Sequence, residues 1–197
     1  MKKYVAEFIG TAVLTLAIVG SVGVGSGFVT LLTVGITLAI IVATIGSISG
    51  GHVNPAVTLG LLSLKKIHWK DALYYILAQF AGAALALVLV RLQKINFPAP
   101  ESAFTWTSLI AEFIGTVIFT FGIASIALSH DSSKAESKAP FVIGGSLTVG
   151  ATLALGLGSN AILNPAVAFG LGSLGIAYVV GPIVGGIAGM WLYKAIK

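Results

Sequence analysis

Two copies of one tripeptide, Asn54-Pro55-Ala56 and Asn164-Pro165-Ala166, hold the most evident chemistry in this chain. Proline suits the first turn of a helix because its missing N–H would have no partner there. Asparagine just before it is a favoured N-cap. Each tripeptide therefore predicts a helix start, bringing roughly half a positive charge and a side-chain amide with donors to offer. One copy alone would read as an ordinary capped helix. The other candidates are two carboxylates, Glu7 and Glu112, the only acids deep inside apolar stretches. No nucleophile–base set and no cluster of metal ligands is evident, so neither an enzyme nor a bound metal or cofactor is expected. With no cysteine, disulfides and thiolate sites are excluded.

The composition says which elements must hold these residues. Hydrophobic residues make up 57% of the chain and charged ones 9%, against roughly 25% charged in soluble domains. The expected solvent is a lipid bilayer. The net charge of +5 does not point to nucleic acid, because the basic residues lie in short segments between apolar runs. A spanning helix needs about 20 mostly apolar residues. Six stretches qualify: Tyr4–Val24, Phe28–Ile48, Trp69–Leu92, Phe104–Ser129, Phe141–Leu157 and Leu174–Ile196. The first is too long for a signal-peptide core and contains Glu7, so it is expected to be retained. Two apolar pieces of about ten residues, starting at Asn54 and Asn164, are too short to span and predict re-entrant segments wrapped by protein or lining a wet cavity. The connections are few: Leu64–Lys70, Gln93–Ala103 with Pro98 and Pro100, and His130–Ala139, expected to be a solvated loop.

The chain also repeats itself. Ala6-Glu7-Phe8-Ile9-Gly10-Thr11 recurs as Ala111-Glu112-Phe113-Ile114-Gly115-Thr116, and Asn54-Pro55-Ala56-Val57 as Asn164-Pro165-Ala166-Val167. Each half, about 1–97 and 104–197, carries three crossings and one half-helix. An odd number of crossings inverts the second half relative to the first. The expectation is an all-α membrane protein with six transmembrane helices and two re-entrant half-helices in one channel-like domain. Placing both termini in the cytoplasm puts Lys2, Lys3, Lys65, Lys66, Lys70, Lys134, Lys138, Lys194 and Lys197 inside and only Arg91 and Lys94 outside. That is a firm positive-inside bias. Short termini and minimal loops fit the inner or plasma membrane of a microbial cell. Trp69, Trp106 and Trp191 fall near helix ends and suit the interfacial belt. Gly181, Gly185 and Gly189 have helix-packing spacing.

In the inverted arrangement both half-helix N-termini point at the midplane from opposite sides. Their positive ends oppose cations and protons, and the two amides can hold a passing water or hydroxyl by its oxygen. A secondary transporter also uses inverted repeats and broken helices but needs an ion-coupling site at the midplane. A non-conducting or gated structural protein remains a third reading, with Val34 and Val167 sealing a dry plug.

The sequence resembles the aquaporin, or major intrinsic protein, family over its whole length. Ser49-Gly50-Gly51-His52-Val53-Asn54-Pro55-Ala56-Val57-Thr58-Leu59-Gly60 follows the first family signature, Ala6-Glu7-Phe8 the start of its first helix, Ala78–Ala83 its third and Gly181–Gly186 its sixth. The resemblance implies an hourglass pore in each protomer and a homotetramer of such pores. It implies Asn54 and Asn164 as paired donors at the pore centre. The half-pores would be lined by the carbonyls of Gly50, Gly51 and His52 and of Asn160, Ala161 and Ile162. Intramembrane carboxylates are costly and usually functional. Glu7 and Glu112 are either proton-coupling groups or struts that hold re-entrant backbone N–H groups, and the family favours struts. His52 is either a gate or metal ligand or a packed loop residue, the second being simpler. His68 and His130 sit at loops.

One departure matters. The family usually has arginine directly after the second Asn-Pro-Ala, and this chain has Val167. Alignment on the asparagines puts Val34, Thr152, Ala161 and Val167 at the outer constriction, with Ala151 replacing Thr152 if the loop differs by one residue. No fixed charge and no ring would narrow this site. The expectation is a wide, apolar mouth that admits small neutral solutes such as ammonia, gases, urea or small polyols alongside water. Ala168, where glycerol-type members place aspartate, looks more like the water branch.

Overall fold

A computed structural model of the chain describes residues 1–22, 27–95, 97, 99–100 and 102–197. Among the described residues there are eight helices: α1 (Lys2–Val22), α2 (Gly27–Ser49), α3 (Pro55–Ser63), α4 (Trp69–Leu92), α5 (Trp106–Ala127), α6 (Ser132–Gly156), α7 (Pro165–Gly170) and α8 (Ile176–Ile196). Six are long and apolar enough to cross a membrane. Val24, the expected end of the first span, and Pro98 lie outside the described residues.

The spanning helices are sided the opposite way to those of a soluble protein. On α1, Val5, Ile9 and Val13 are exposed, while Ala6, Glu7, Gly10, Thr11 and Thr15 are buried. Bulky side chains face outward because lipid accepts them. Small ones face inward because helices in a bilayer associate through close packing. The buried threonines return their hydroxyls to the helix: Thr11 and Thr15 donate to the carbonyls of Glu7 and Thr11, both at 2.8 Å. Thr116 and Thr120 do the same one repeat later, at 2.7 and 2.8 Å.

Contacts follow the repeat. α1 packs on α4 and α5 on α8, while α2 crosses α6 between the halves. Gly82 on α4 meets the backbone of Phe8, and its counterpart Gly185 on α8 meets Phe113, where an added Cβ would lie 2.5 Å from the carbonyl oxygen. Gly186 does the same against α3, with Ala56 O 2.7 Å from such a Cβ.

Both short helices end where the backbone turns left-handed. Lys65 (φ 59°) follows α3 and Gly172 (φ 73°) follows α7. The N–H groups one residue on, at Lys66 and Ser173, close back on Leu61 O at 2.9 Å and Ala168 O at 2.8 Å, the Schellman pattern. Gly172 stops α7 nearly a turn sooner, so α7 has 6 residues rather than about ten, and α3 has 9.

One expectation is corrected. The segment His130–Ala139 is not a loop throughout, because α6 begins at Ser132 and runs 25 residues through Pro140. Asp131 caps it, accepting from Lys134 N at 3.0 Å, and Ala135 and Ala139 are buried. That side-chain cap and the apolar Ala135/Ala139 pair make the polar stretch helical.

The glycine contacts carry a prediction. Gly185→Leu should lower the stability of the detergent-solubilised protein by about 3 kcal/mol through overpacking, whereas Val184→Leu on the exposed face should leave it unchanged. Thermal unfolding of the two variants side by side tests this; equal midpoints would contradict the packing account.

Candidate functional site

The site is two irregular loops, 50–53 and 159–163, that meet inside the helix bundle. Each leads into a short helix capped by its asparagine. Asn54 Oδ1 accepts from Ala56 N at 2.8 Å, and Asn164 Oδ1 accepts from Ala166 N at 3.0 Å and Val167 N at 3.3 Å. The amide nitrogens cross to the opposite loop. Asn54 Nδ2 donates to Leu163 O at 2.8 Å, and Asn164 Nδ2 donates to Val53 O at 2.9 Å. The two tips are therefore tied to each other by a reciprocal pair of hydrogen bonds. An amide nitrogen has two hydrogens, so each asparagine keeps one N–H uncommitted by these ties. Both side chains line the same cavity while only 3% exposed.

The loops have few helical or sheet partners for their backbone, and burial makes an unpaired N–H costly. The two carboxylates supply the acceptors. Glu7 accepts from Ser49 Oγ (2.7 Å), His52 N (2.9 Å), Val53 N (2.6 Å) and Gln79 Nε2 (2.8 Å). Glu112 accepts from Ser159 Oγ, Ile162 N (2.9 Å) and Leu163 N (2.6 Å). Both are 0% exposed. The backbone they hold is strained in matched places. Val53 (φ 43°), Ala161 (φ 55°) and Leu163 (φ 51°) are non-glycine residues in the left-handed region, which costs on the order of 1–3 kcal/mol each. Tyr75 Oη donates to Ser49 O at 2.8 Å from α4 and steadies the first loop.

A cavity of about 250 Å³ opens above the asparagines. Its wall includes Leu14, Leu38, Val34, Phe119, Leu147, Ala151, Ala161, Ile162, Val167 and Leu171, with Phe97 and Pro100. Among the described residues no Lys, Arg, Asp or Glu lines it. A second cavity of about 700 Å³ reaches Gly50 from the other end, between α2, α5 and α6, with Lys66 and Glu136 at its wall.

Val34, Ala161 and Val167 line the first cavity, but Thr152 does not. It faces outward, its hydroxyl bonded to Thr148 O at 2.7 Å, and Ala151 takes its place. One residue is about 100° of helix rotation, enough to exchange the two. His52, Asn160 and Ile162 line the first cavity and Gly50 the second, while Gly51 lines neither, its φ of 61° turning it against Val42. Pro55, Ala56, Pro165 and Ala166 are buried behind the asparagines as the first turns of α3 and α7. His52 Nδ1 lies 3.2 Å from Thr58 Oγ1 and its ring edge packs on Tyr75.

Residues not singled out earlier complete the site. Ser49 and Ser159 each stand five positions before an asparagine, a match the repeat made available. Gln79 gave no such signal, because the corresponding position in the second half is Pro182.

Two helix N-termini tied tip to tip between cavities at opposite ends, inside six apolar helices, define a membrane channel built on re-entrant half-helices. Residues 1–193 match the family described as "Major intrinsic protein". Aquaporin NIP1-1 of Oryza sativa subsp. japonica is 32% identical, the match covering 100% of this chain and 75% of that protein. Probable aquaporin AqpM of Archaeoglobus fulgidus is 32% identical over 98% of this chain and 96% of that protein. The X-ray structure of the aquaglyceroporin from Plasmodium falciparum shares the fold, with a TM-score of 0.71 at 21% identity, over 98% of this chain and 93% of that one. The chain belongs to the major intrinsic protein family. It is an integral membrane protein and a passive channel for water and small solutes.

The carboxylate ties can be tested directly. Glu112→Ala leaves Ile162 N and Leu163 N without their acceptor, and each unsatisfied buried donor costs about 1–3 kcal/mol. The expected result is a loss of about 4 kcal/mol of stability and of water flux, with Glu112→Gln intermediate because its amide oxygen still accepts. Thermal unfolding and proteoliposome shrinkage measure both; an unchanged Glu112→Ala would remove the strut role.

Proposed function

We propose that each protomer passes water together with small uncharged solutes such as ammonia, dissolved gases, urea and small polyols. The observation that carries this is the first cavity, with no charged side chain among its described lining residues, standing over two asparagine N–H donors. The donors, backed by the positive ends of α3 and α7, hold a solute by its oxygen and repel cations. Val34, Ala151, Ala161 and Val167 form the outer constriction. With no arginine there, exclusion of ions falls on the paired half-helix ends alone. Glu7 and Glu112 act as struts. Their oxygens are taken up by loop donors, which argues against a coupling role in a transporter.

The two repeats, 1–97 and 104–197, work as one channel domain, and four copies of this chain form a homotetramer in the inner or plasma membrane of a microbial cell. Both termini are cytoplasmic. The contacts of the basic end support this: Lys3 Nζ pairs with Asp71 at 2.9 Å, and Trp191 Nε1 donates to Ser63 Oγ at 3.0 Å, so both termini and the α3–α4 connection share one end. The nine-to-two lysine and arginine asymmetry supports placing that end inside.

Stopped-flow light scattering on proteoliposomes, with water, urea and glycerol gradients and a proton-sensitive dye, tests the reading. The wild type should conduct water and urea above the lipid background. Val167→Arg should lower urea and glycerol flux about tenfold, equivalent to about 1.4 kcal/mol, and water flux far less. Urea flux unchanged in Val167→Arg would remove the constriction from position 167.

A further inference from the structure

We infer that the side chain of Asn160, held by Tyr178, is a specificity-determining hydrogen-bond acceptor of the outer cavity that favours small solutes carrying N–H or O–H donors. The inference rests on the channel reading above and deepens it. Asn160 was expected to contribute a backbone carbonyl, and its side chain is a separate observation. Asn160 Nδ2 donates to Tyr178 Oη at 2.6 Å. Tyr178 is a rigid anchor, 1% exposed on α8. The backbone beneath is set as well, since Ala161 N bonds Ser159 Oγ at 3.1 Å and Glu112 holds Ile162 and Leu163. One N–H of the amide is thus held by Tyr178, and Oδ1, together with the second N–H, is left for a solute.

The rest of the wall gives this atom its weight. Among the described lining residues, the polar side chains besides the asparagine pair are Asn160, Thr30 and His52, and the His52 ring already has Thr58 Oγ1 at 3.2 Å. A solute entering this apolar sleeve gives up hydrogen bonds to water, and burying polar groups unpaired is costly. Asn160 Oδ1 offers an acceptor first, and Asn54 and Asn164 then offer donors. The order suits molecules that carry both functions, such as urea and acetamide, over molecules that donate nothing. Tyr178 is a positioning residue: it acts only through the amide that it orients.

The test compares urea, acetamide and water permeabilities of full-length protein in proteoliposomes at matched incorporation. Asn160→Leu keeps the branched shape, at a somewhat larger volume, and removes the amide. It should lower the urea-to-water and acetamide-to-water ratios about tenfold, the worth of about one hydrogen bond. Tyr178→Phe frees the amide and should lower them about threefold, with water flux retained. A purely structural role for the pair would change all fluxes together and leave the ratios constant. Unchanged ratios in Asn160→Leu would overturn the inference; should that variant fail to incorporate, unchanged ratios in Tyr178→Phe would do so. A wild type that conducts neither water nor urea would instead overturn the channel reading itself.

Discussion

A backbone N–H shut away from water must find an acceptor, and in this protein that demand falls on two carboxylates. The loops before α3 and α7 are irregular chain in the middle of a helical membrane protein, and their amides that turn away from the cavity need acceptors within the protein. Glu7 and Glu112 each accept from two consecutive backbone amides and a serine hydroxyl, and Glu7 also from Gln79. With those donors satisfied, the loops hold left-handed residues such as Val53, Ala161 and Leu163 that free chain would avoid. The strained backbone in turn brings each asparagine to the opposite loop. The acids thus act through geometry, although neither lines the described cavities.

The reciprocal asparagine ties then decide what kind of conduit the fold can hold. Each amide spends its oxygen on its own helix N-terminus and one hydrogen on the opposite loop. What remains is one N–H from each side, in a field made positive by two helix ends. Such a centre favours oxygen lone pairs and disfavours cations. Above it the wall is almost wholly aliphatic and aromatic. Among the described residues no charged side chain lines that wall beside the few polar ones.

The bundle around the site is assembled by close approach of backbones rather than by burial of large side chains. Lipid is as apolar as leucine, so hiding leucine gains little. The inward faces instead carry glycine, alanine and self-bonded threonine, and Gly82 and Gly185 let α4 and α8 lie against Phe8 and Phe113. The same crossing is made twice, once in each repeat. The polar segment before Pro140 extends α6 past its apolar part and brings Glu136 to the wall of the second cavity.

The elements and their order were legible from residue pattern alone. Spanning length, the duplicated glutamate and asparagine motifs and the lysine asymmetry are properties of the chain, because the bilayer imposes one length and one charge rule on every crossing. The buried acids were also legible, since a carboxylate in an apolar run needs partners wherever it ends up. Other features required the folded chain. Whether Thr152 or Ala151 faces the cavity depends on a helix rotation set by packing against α2 and α5. Gly51 turns away because its dihedral, not its neighbours in sequence, aims it. The Asn160–Tyr178 pair joins residues 18 apart on different elements, with no counterpart amide at Gly50 in the first repeat to announce it. Periodic burial and charge are one-dimensional and survive in the sequence. The direction of a side chain at a constriction is three-dimensional, and only the packing of the two halves against each other decided it.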